Sequence, residues 1–123
     1  MRYTLLVLTP PDSGASARHA LGFARAAVEA GHELACVFFF DAGVLTALTG
    51  AEAAQDEFDL RDAWSAFASE TSCPLLACVA SAARFGLGED PSGDRLRSGF
   101  SIAGLGELVD ASSRSDRLLT FAG

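Results

Sequence analysis

Apolar runs alternate with amphipathic stretches along this chain of 123 residues. Residues 3–9 and 33–40 are apolar and β-prone, which is typical of strands buried on both faces. Between them a helical pattern follows Asp12 and Ser13, either of which is expected to cap it, and Gly31 is expected to end it. This order predicts a βαβ unit with a right-handed crossover. The apolar stripe of the predicted helix consists of Ala17, Ala20, Leu21, Ala24, Ala27 and Val28.

The rest of the chain continues the alternation of strands and helices. The predicted elements are a short helix in 43–49, an acidic loop at 51–59, a helix at 60–70, a strand at 74–78, a short helix at 79–85, a loop at 86–98, a helix at 102–112 and a strand at 117–121. Such alternation predicts one α/β domain over residues 1–123, a three-layer sandwich with a mostly parallel central sheet. The predicted last helix has Ile102, Leu105, Leu108 and Val109 as its apolar stripe.

Charge narrows the possible functions. The chain carries 16 acidic residues against 9 arginines, has no lysine, and has a net charge of −7. An acidic surface disfavours direct binding to nucleic acid, and the absence of lysine argues against Schiff-base chemistry and a P-loop. The longest apolar run near the N-terminus, residues 5–8, is too short for a membrane span or a signal peptide, so we expect a cytoplasmic protein without membrane contact. Half of the residues are hydrophobic, which leaves open whether a partner covers part of the surface.

Three cysteines are an odd number, and in a reducing compartment we expect all of them to be free thiols. Cys36 lies inside a predicted buried strand, where a core thiol is the simpler interpretation. Cys73 and Cys78 stand at opposite ends of one predicted strand, about 16 Å apart, so they cannot form a local disulfide. The chain has no paired Cys/His spacing and no third glycine after Gly86 and Gly88, so neither a metal nor a cofactor is expected.

Cys78 is the candidate catalytic residue. It ends an apolar strand pattern where a small-residue helix begins, so it should lie at the carboxyl edge of the sheet and at a helix N-terminus. Such a place favours a thiolate, and Arg84 further along the helix is a candidate to stabilise the anion. The alternative is an inert cysteine that fills a small space in the core. A nucleophile without an adjacent base or metal suits sulfur exchange through a persulfide.

Histidine is a weaker candidate for catalysis. His32 should lie at the amino end of the second strand, away from Cys78. His19 falls within the first turns of a helix that starts at the correct edge, so it is kept as an alternative Cys–His partner. Asp41 and Ser81 also belong to that edge, with no role assigned from the sequence. Solvated surface histidine is the simpler interpretation of both imidazoles.

Several segments, in order and spacing, resemble the TusD/DsrE family of sulfur-relay proteins over nearly the whole chain. The matching segments are Gly31-His32-Glu33-Leu34 with Val37-Phe38-Phe39, Gly43-Val44, Asp56-Glu57-Phe58-Asp59-Leu60 with Ala63-Trp64, Cys78-Val79-Ala80-Ser81-Ala82-Ala83-Arg84, Gly99-Phe100-Ser101-Ile102-Ala103-Gly104-Leu105-Gly106, and Asp116-Arg117 with Phe121.

The resemblance implies a DsrE-like fold and a persulfide-carrying cysteine at Cys78. It implies a sulfurtransferase that works with TusB- and TusC-like subunits in a heterohexamer. Sulfur would come from a TusA-like donor and pass to a TusE-like acceptor for 2-thiolation of the tRNA wobble uridine. The alternative within the family is a DsrE-like subunit of a DsrEFH complex in bacterial sulfur oxidation, with a DsrC-like partner. Outside this function, a non-catalytic assembly subunit and a small-molecule-binding α/β module stay open.

Overall fold

The computed structural model describes residues 1–12, 15–49, 59–86 and 95–123. Strands and helices alternate there as the hydrophobic pattern predicts. The strands are β1 (Arg2–Val7), β2 (Glu33–Phe39), β3 (Leu75–Cys78), β4 (Phe100–Ala103) and β5 (Arg117–Phe121). The helices are α1 (Ser16–Glu29), α2 (Leu60–Thr71), α3 (Val79–Arg84) and α4 (Leu105–Ser113), with a 3₁₀ helix at Asp41–Ala47.

The described strands form one sheet in the order β4-β3-β2-β1-β5. All four strand pairings are parallel, which confirms the predicted α/β class and parallel central sheet. In such a sheet all carboxyl ends of the strands meet at one edge, where ligands and chemistry collect. The carboxyl ends of β2, β3 and β4 are adjacent there, and β3 ends at Cys78.

The helices cover the two faces of the sheet. The chain passes from β1 through α1 to β2 and through α2 to β3 in one direction, and returns through α4 from β4 to β5 in the other. Right-handed crossovers therefore place α1 and α2 on one face and α4 on the opposite face. In agreement, α1 packs against α2, whereas α4 packs against β1 and β2.

Aromatic side chains form the centre of the core between the sheet and α2. Trp64 is fully buried and meets Phe39 edge-to-face, with ring centroids 5.4 Å apart. Phe39 also contacts Phe100 of β4 at 5.3 Å, and Phe67 contacts Trp64 at 5.8 Å. These rings join β2, β4 and α2 into one packed unit and so support the carboxyl edge of the sheet.

The ends of α1 differ in how well the sequence predicts them. At the C-terminus, Gly31 has φ +87°, and the N–H groups of Gly31 and His32 donate to the carbonyls of Val28 and Ala27. This is a Schellman motif, so the predicted glycine stop is confirmed. At the N-terminus the prediction is wrong for Asp12, because the helix begins after Ala15 with no side-chain cap. Ser13 lies outside the described residues.

The alanine-rich stripe of α1 is buried as predicted, except at its last position. Ala17, Ala20, Leu21, Ala24 and Ala27 are buried, whereas Val28 is exposed. Val28 stands in the last turn of the helix.

Strand β4 corrects the predicted last helix. Ile102 belongs to β4, and α4 begins only at Leu105, after Gly104. Phe100 is buried against Phe39, and this contact across the sheet favours an extended chain over the helix that the local pattern suggests. Leu108 packs against the core, but Leu105 and Val109 are exposed, so the predicted apolar stripe is mostly not buried.

Two predicted loops fall largely outside the described residues, at 51–58 and 87–94. In the part of the chain that is described, no helix is long and apolar enough to cross a membrane. Nor do the described residues contain a group of three or more His, Cys, Asp or Glu side chains arranged to hold a metal ion.

Candidate functional site

Cys78 occupies the junction between β3 and α3. It is the last residue of β3, pairs with Ala103 of β4, and is the N-cap residue of α3, with extended φ and ψ of −60° and 125°. The predicted place at a strand end and a helix start is therefore confirmed. Its side chain caps no backbone N–H group, and the residue is only 1% exposed. The thiol thus lies at the carboxyl edge of the sheet, where chemistry is expected, but it is buried.

The cover is provided in part by the 3₁₀ helix that follows β2. This helix packs against β3 and α3. Gly43 lies so close to β1 that an added Cβ would stand 2.2 Å from the carbonyl oxygen of Val7. The absence of a side chain at this position lets the 3₁₀ helix settle directly on the ends of the strands.

Asp41 connects the 3₁₀ helix to α3. Its backbone N–H donates a hydrogen bond of 2.9 Å to Oγ of Ser81, which lies in the first turn of α3 and is 2% exposed. Asp41 has φ +54°, a left-handed conformation that aspartate tolerates better than most residues. Asp41 and Ser81, which the sequence places at this edge, are therefore in direct contact.

Arg84 forms an ion pair with Asp41 near Cys78. Its Nη2 lies 2.7 Å from Oδ1 of Asp41, and its guanidinium is 5.8 Å from the ring centroid of Phe85. Both charged side chains are more than half exposed, so water weakens their attraction. The arginine charge is balanced by a carboxylate, and its predicted role in stabilising a thiolate stays a prediction.

A buried arginine, Arg97, joins the segment after the 3₁₀ helix to α2. Arg97 donates from Nε to the carbonyl of Leu48 at 2.8 Å and from Nη1 to Oδ1 of Asp62 at 2.6 Å. It thus ties the segment after the 3₁₀ helix to α2, and an isolated antiparallel bridge joins Leu48 to Leu96 beside it. A buried guanidinium needs several acceptors, which fixes the relative positions of these segments.

The other two thiols lie away from the carboxyl edge. Cys36 is buried inside β2, as predicted. Burial, and to a smaller extent the charge of Glu107, raises the pKa of Cys36 to about 11. Cys73 precedes β3 at the amino edge of the sheet. Burial, and to a smaller extent interaction with Cys36, raises the pKa of Cys73 to about 12. Both groups are therefore protonated at neutral pH and poor nucleophiles, although Cys73 lines surface cavities of about 370 and 410 Å³.

Neither histidine forms a catalytic pair with Cys78. Nδ1 of His32 lies 2.9 Å from the N-terminal amino group at the amino edge, as predicted. His19 is exposed on α1, and no imidazole among the described residues hydrogen-bonds to Cys78. The Cys–His alternative for His19 thus has no contact in its favour among the described residues.

Comparison with known protein families covers nearly the whole chain. The model of the DsrE/DsrF-like family matches residues 1–121. The chain belongs to the DsrE/DsrF-like family. The resemblance that the sequence motifs indicate is therefore confirmed, and membership in the DsrE/DsrF-like family extends over nearly all of the chain.

Several curated relatives of this chain are named Sulfurtransferase TusD. A protein of Klebsiella pneumoniae named Sulfurtransferase TusD is 39% identical, and the alignment covers 98% of this chain and 100% of that relative. Proteins of the same name from Salmonella arizonae and Yersinia pestis are 39% and 38% identical over the same share of this chain, covering 100% and 98% of those relatives.

The DsrE-like fold is also found among solved structures. The crystal structure of the ychN protein from E. coli superposes with a TM-score of 0.84, covering 98% of this chain and 99% of that one. Sequence identity is only 20%, so this likeness concerns the fold alone.

Proposed function

We propose that this DsrE/DsrF-like protein is a sulfurtransferase that carries sulfur on Cys78. The position of Cys78 carries the proposal: in a chain whose full-length relatives are named Sulfurtransferase TusD, this thiol is at the carboxyl edge of the sheet. Cys36 lies inside β2 and Cys73 at the amino end of β3, both away from this edge, which supports the choice of Cys78 among the three.

The reaction is an exchange at sulfur. The Cys78 thiolate attacks the terminal sulfur of a donor persulfide, a new S–S bond forms at Sγ, and the S–S bond of the donor breaks. The donor leaves as a thiolate, and the transferred sulfur keeps its proton, so Cys78 becomes a persulfide without net oxidation. A partner cysteine then repeats the same attack on Cys78-SSH and regenerates the Cys78 thiolate.

The proposed setting is a cytoplasmic sulfur relay like that of TusD-type proteins. The chain would assemble with TusB- and TusC-like subunits in a heterohexamer, receive sulfur from a TusA-like donor and pass it to a TusE-like acceptor. The end use would be 2-thiolation of the wobble uridine in tRNA. The relatives named TusD support this branch, and the exposed apolar side chains on α4 support an assembly.

The family description leaves a second branch within the same chemistry. A DsrE-like subunit of a DsrEFH complex would exchange sulfur with a DsrC-like partner during sulfur oxidation, and Cys78 would do the same work. The curated relatives favour the TusD branch.

One observation favours a function of a different class. Cys78 is 1% exposed, as expected for a cysteine that only fills core space in a non-catalytic assembly subunit. The two functions differ in whether the native thiol reacts. Alkylation of Cys78 in the folded protein supports the carrier, and complete resistance supports the assembly subunit.

Transfer of labelled sulfur tests the carrier function directly. The purified protein is incubated with a ³⁵S-labelled low-molecular-weight persulfide, and protein-bound label is located by peptide mapping. We expect label on Cys78 in the wild type and only background label in Cys78→Ser, because a hydroxyl cannot hold sulfane sulfur under these conditions.

Matched controls come from the other two cysteines. Cys36→Ser and Cys73→Ser remove thiols whose raised pKa makes them poor nucleophiles, so both variants should keep wild-type labelling if they fold. Label retained in Cys78→Ser, or label on Cys36 or Cys73 in the wild type, would show that the carrier is not Cys78.

A further inference from the structure

A buried nucleophile has to be uncovered before it can exchange sulfur with another protein. Cys78 is 1% exposed, yet the persulfide of a donor has to reach Sγ in line with its S–S bond. The 3₁₀ helix packs against both β3 and α3, the two elements that meet at Cys78, so its movement away from α3 would uncover this junction. The contacts between the 3₁₀ helix and α3 set how often that happens.

Asp41 joins the two elements at both ends of α3. Its backbone N–H bonds to Ser81 in the first turn, at 2.9 Å, and its carboxylate pairs with Arg84 in the last, at 2.7 Å. A helix of six residues is not stable by itself, so its position depends on such contacts. Since Cys78 is the N-cap residue of α3 and Ser81 is three residues further on, the Ser81 bond lies one helical turn from the reacting sulfur.

The backbone at Asp41 indicates that this contact constrains the chain. Asp41 is one of two non-glycine residues with positive φ in the described part of the chain. Gly43 fits against the carbonyl of Val7 with no room for a side chain. The left-handed Asp41 and the tight fit of Gly43 together leave the start of the 3₁₀ helix few alternative packed conformations.

We propose that the hydrogen bond between Asp41 and Ser81 is a latch that controls the exposure of Cys78 to a partner's persulfide. Asp41 and Ser81 are positioning residues, because they act on the sulfur only through α3. The inference rests on the proposed carrier function, but it concerns access to the thiol and is measured without any sulfur donor.

The two contacts of Asp41 are not equal. The ion pair with Arg84 is exposed, with 63% and 52% of its side chains accessible, and such pairs contribute little. The Ser81 hydroxyl is buried, and its loss leaves the N–H of Asp41 without a partner. The latch therefore resides in the Ser81 bond, and Arg84→Gln should change access to Cys78 by less than about twofold.

Alkylation of the native protein tests the latch. Wild type, Ser81→Ala and Ser81→Thr react with iodoacetamide, and mass spectrometry of peptides gives a rate for each cysteine. We expect Ser81→Ala to speed the reaction of Cys78 about fivefold, the effect of one lost hydrogen bond, with Cys36 and Cys73 unchanged. Ser81→Thr keeps the hydroxyl and should return the rate to within about twofold of the wild type.

Ser113→Ala is the control, since it also removes a serine hydroxyl that is hydrogen-bonded to the backbone. The Ser113 hydroxyl donates to the carbonyl of Asp110 at 2.7 Å, at the exposed end of α4, whereas the Ser81 hydroxyl accepts from the N–H of Asp41. Ser113→Ala should leave all three rates unchanged. A Cys78 rate in Ser81→Ala equal to that of the wild type, or an equal acceleration of all three cysteines, overturns the latch.

A second measurement needs no variant and so does not depend on whether Ser81→Ala folds. Amide exchange of the Asp41 N–H in the wild type reports how often its bond to Ser81 opens. Alkylation of Cys78 should be slower than that of a free thiol of the same chemistry. The ratio of the two rates should agree with the opening equilibrium constant from amide exchange within about threefold. A larger disagreement overturns the proposal, whereas failure of the carrier function would show instead as absence of ³⁵S transfer with the latch kinetics intact.

Discussion

At the scale of single residues, two of the three thiols have a raised pKa. Loss of hydration on burial is the main cause, and it raises the pKa from 9.0 to about 11 for Cys36 and to about 12 for Cys73. A thiolate is therefore disfavoured at both places. Cys78 is also buried, but it lies at the carboxyl end of β3, where α3 begins.

Titration of these two buried thiols predicts a loss of stability at high pH. The unfolded chain releases the protons near pH 9, whereas the folded chain keeps them until about pH 11 for Cys36 and pH 12 for Cys73. The unfolded state thus binds fewer protons in this window, and the free energy of unfolding falls as the pH rises through it. Urea unfolding of the wild type from pH 8 to 10.5 should show this decline.

The double variant Cys36→Ala/Cys73→Ala provides the comparison. It should be less stable than the wild type at pH 8, because alanine packs less well, but its stability should fall less steeply above pH 9. Parallel curves for the two proteins over the whole range would contradict the assigned pKa values.

At the scale of secondary structure, the fit between the 3₁₀ helix and β1 is tight at one glycine. Gly43→Ala would place a Cβ 2.2 Å from the carbonyl oxygen of Val7, so the backbone has to move. We expect the free energy of unfolding to fall by about 2–3 kcal/mol, in the range of overpacked cores, as measured by urea denaturation.

Gly22→Ala is the matched control for this substitution. Gly22 lies within α1, and nothing stands within 4 Å of an added Cβ there. Alanine favours the helix over glycine, so this variant should gain about 0.5–1 kcal/mol. If both variants changed stability in the same direction, the close approach at Gly43 would not be the cause.

At the scale of the whole molecule, α4 leaves apolar surface uncovered. None of its residues is buried, and Leu105 and Val109 are 48% and 67% exposed, with Leu118 of β5 also exposed. Among the described residues, α4 is the one helix on the face of the sheet opposite α1 and α2, so this face has less helical cover. Exposed apolar surface of this kind is typical of a protein that assembles with partners.

Assembly with TusB- and TusC-like subunits can be tested at this surface. Val109→Asp should leave the stability of the isolated chain within about 0.5 kcal/mol, because the residue is exposed, but weaken co-assembly at least about tenfold. Light scattering after size exclusion of the co-expressed subunits measures both mass and composition. Val28→Asp on the opposite face is the control and should assemble normally; equal assembly of Val109→Asp would show that α4 is not the contact surface.

The order of the elements apart from β4, the parallel α/β class and the place of Cys78 were predictable from the sequence. Long apolar runs, a helical alanine stripe and the stop at Gly31 are local signals, and each strand that they predict is present in the sheet. The family motif around Cys78 is equally local, so the candidate nucleophile could be named without a structure.

Only the tertiary structure decided what surrounds Cys78. Ile102 and Ala103 are predicted to begin the last helix, but they belong to β4, whose Phe100 packs on Phe39 across the sheet. The contact of Asp41 with Ser81 joins residues 40 positions apart, and the 3₁₀ helix packs against β3 and α3, which meet at the buried Cys78. Such contacts depend on how distant segments meet, and no local propensity encodes them. The sequence thus determined which sulfur is placed to react, whereas the fold decided how that sulfur is covered.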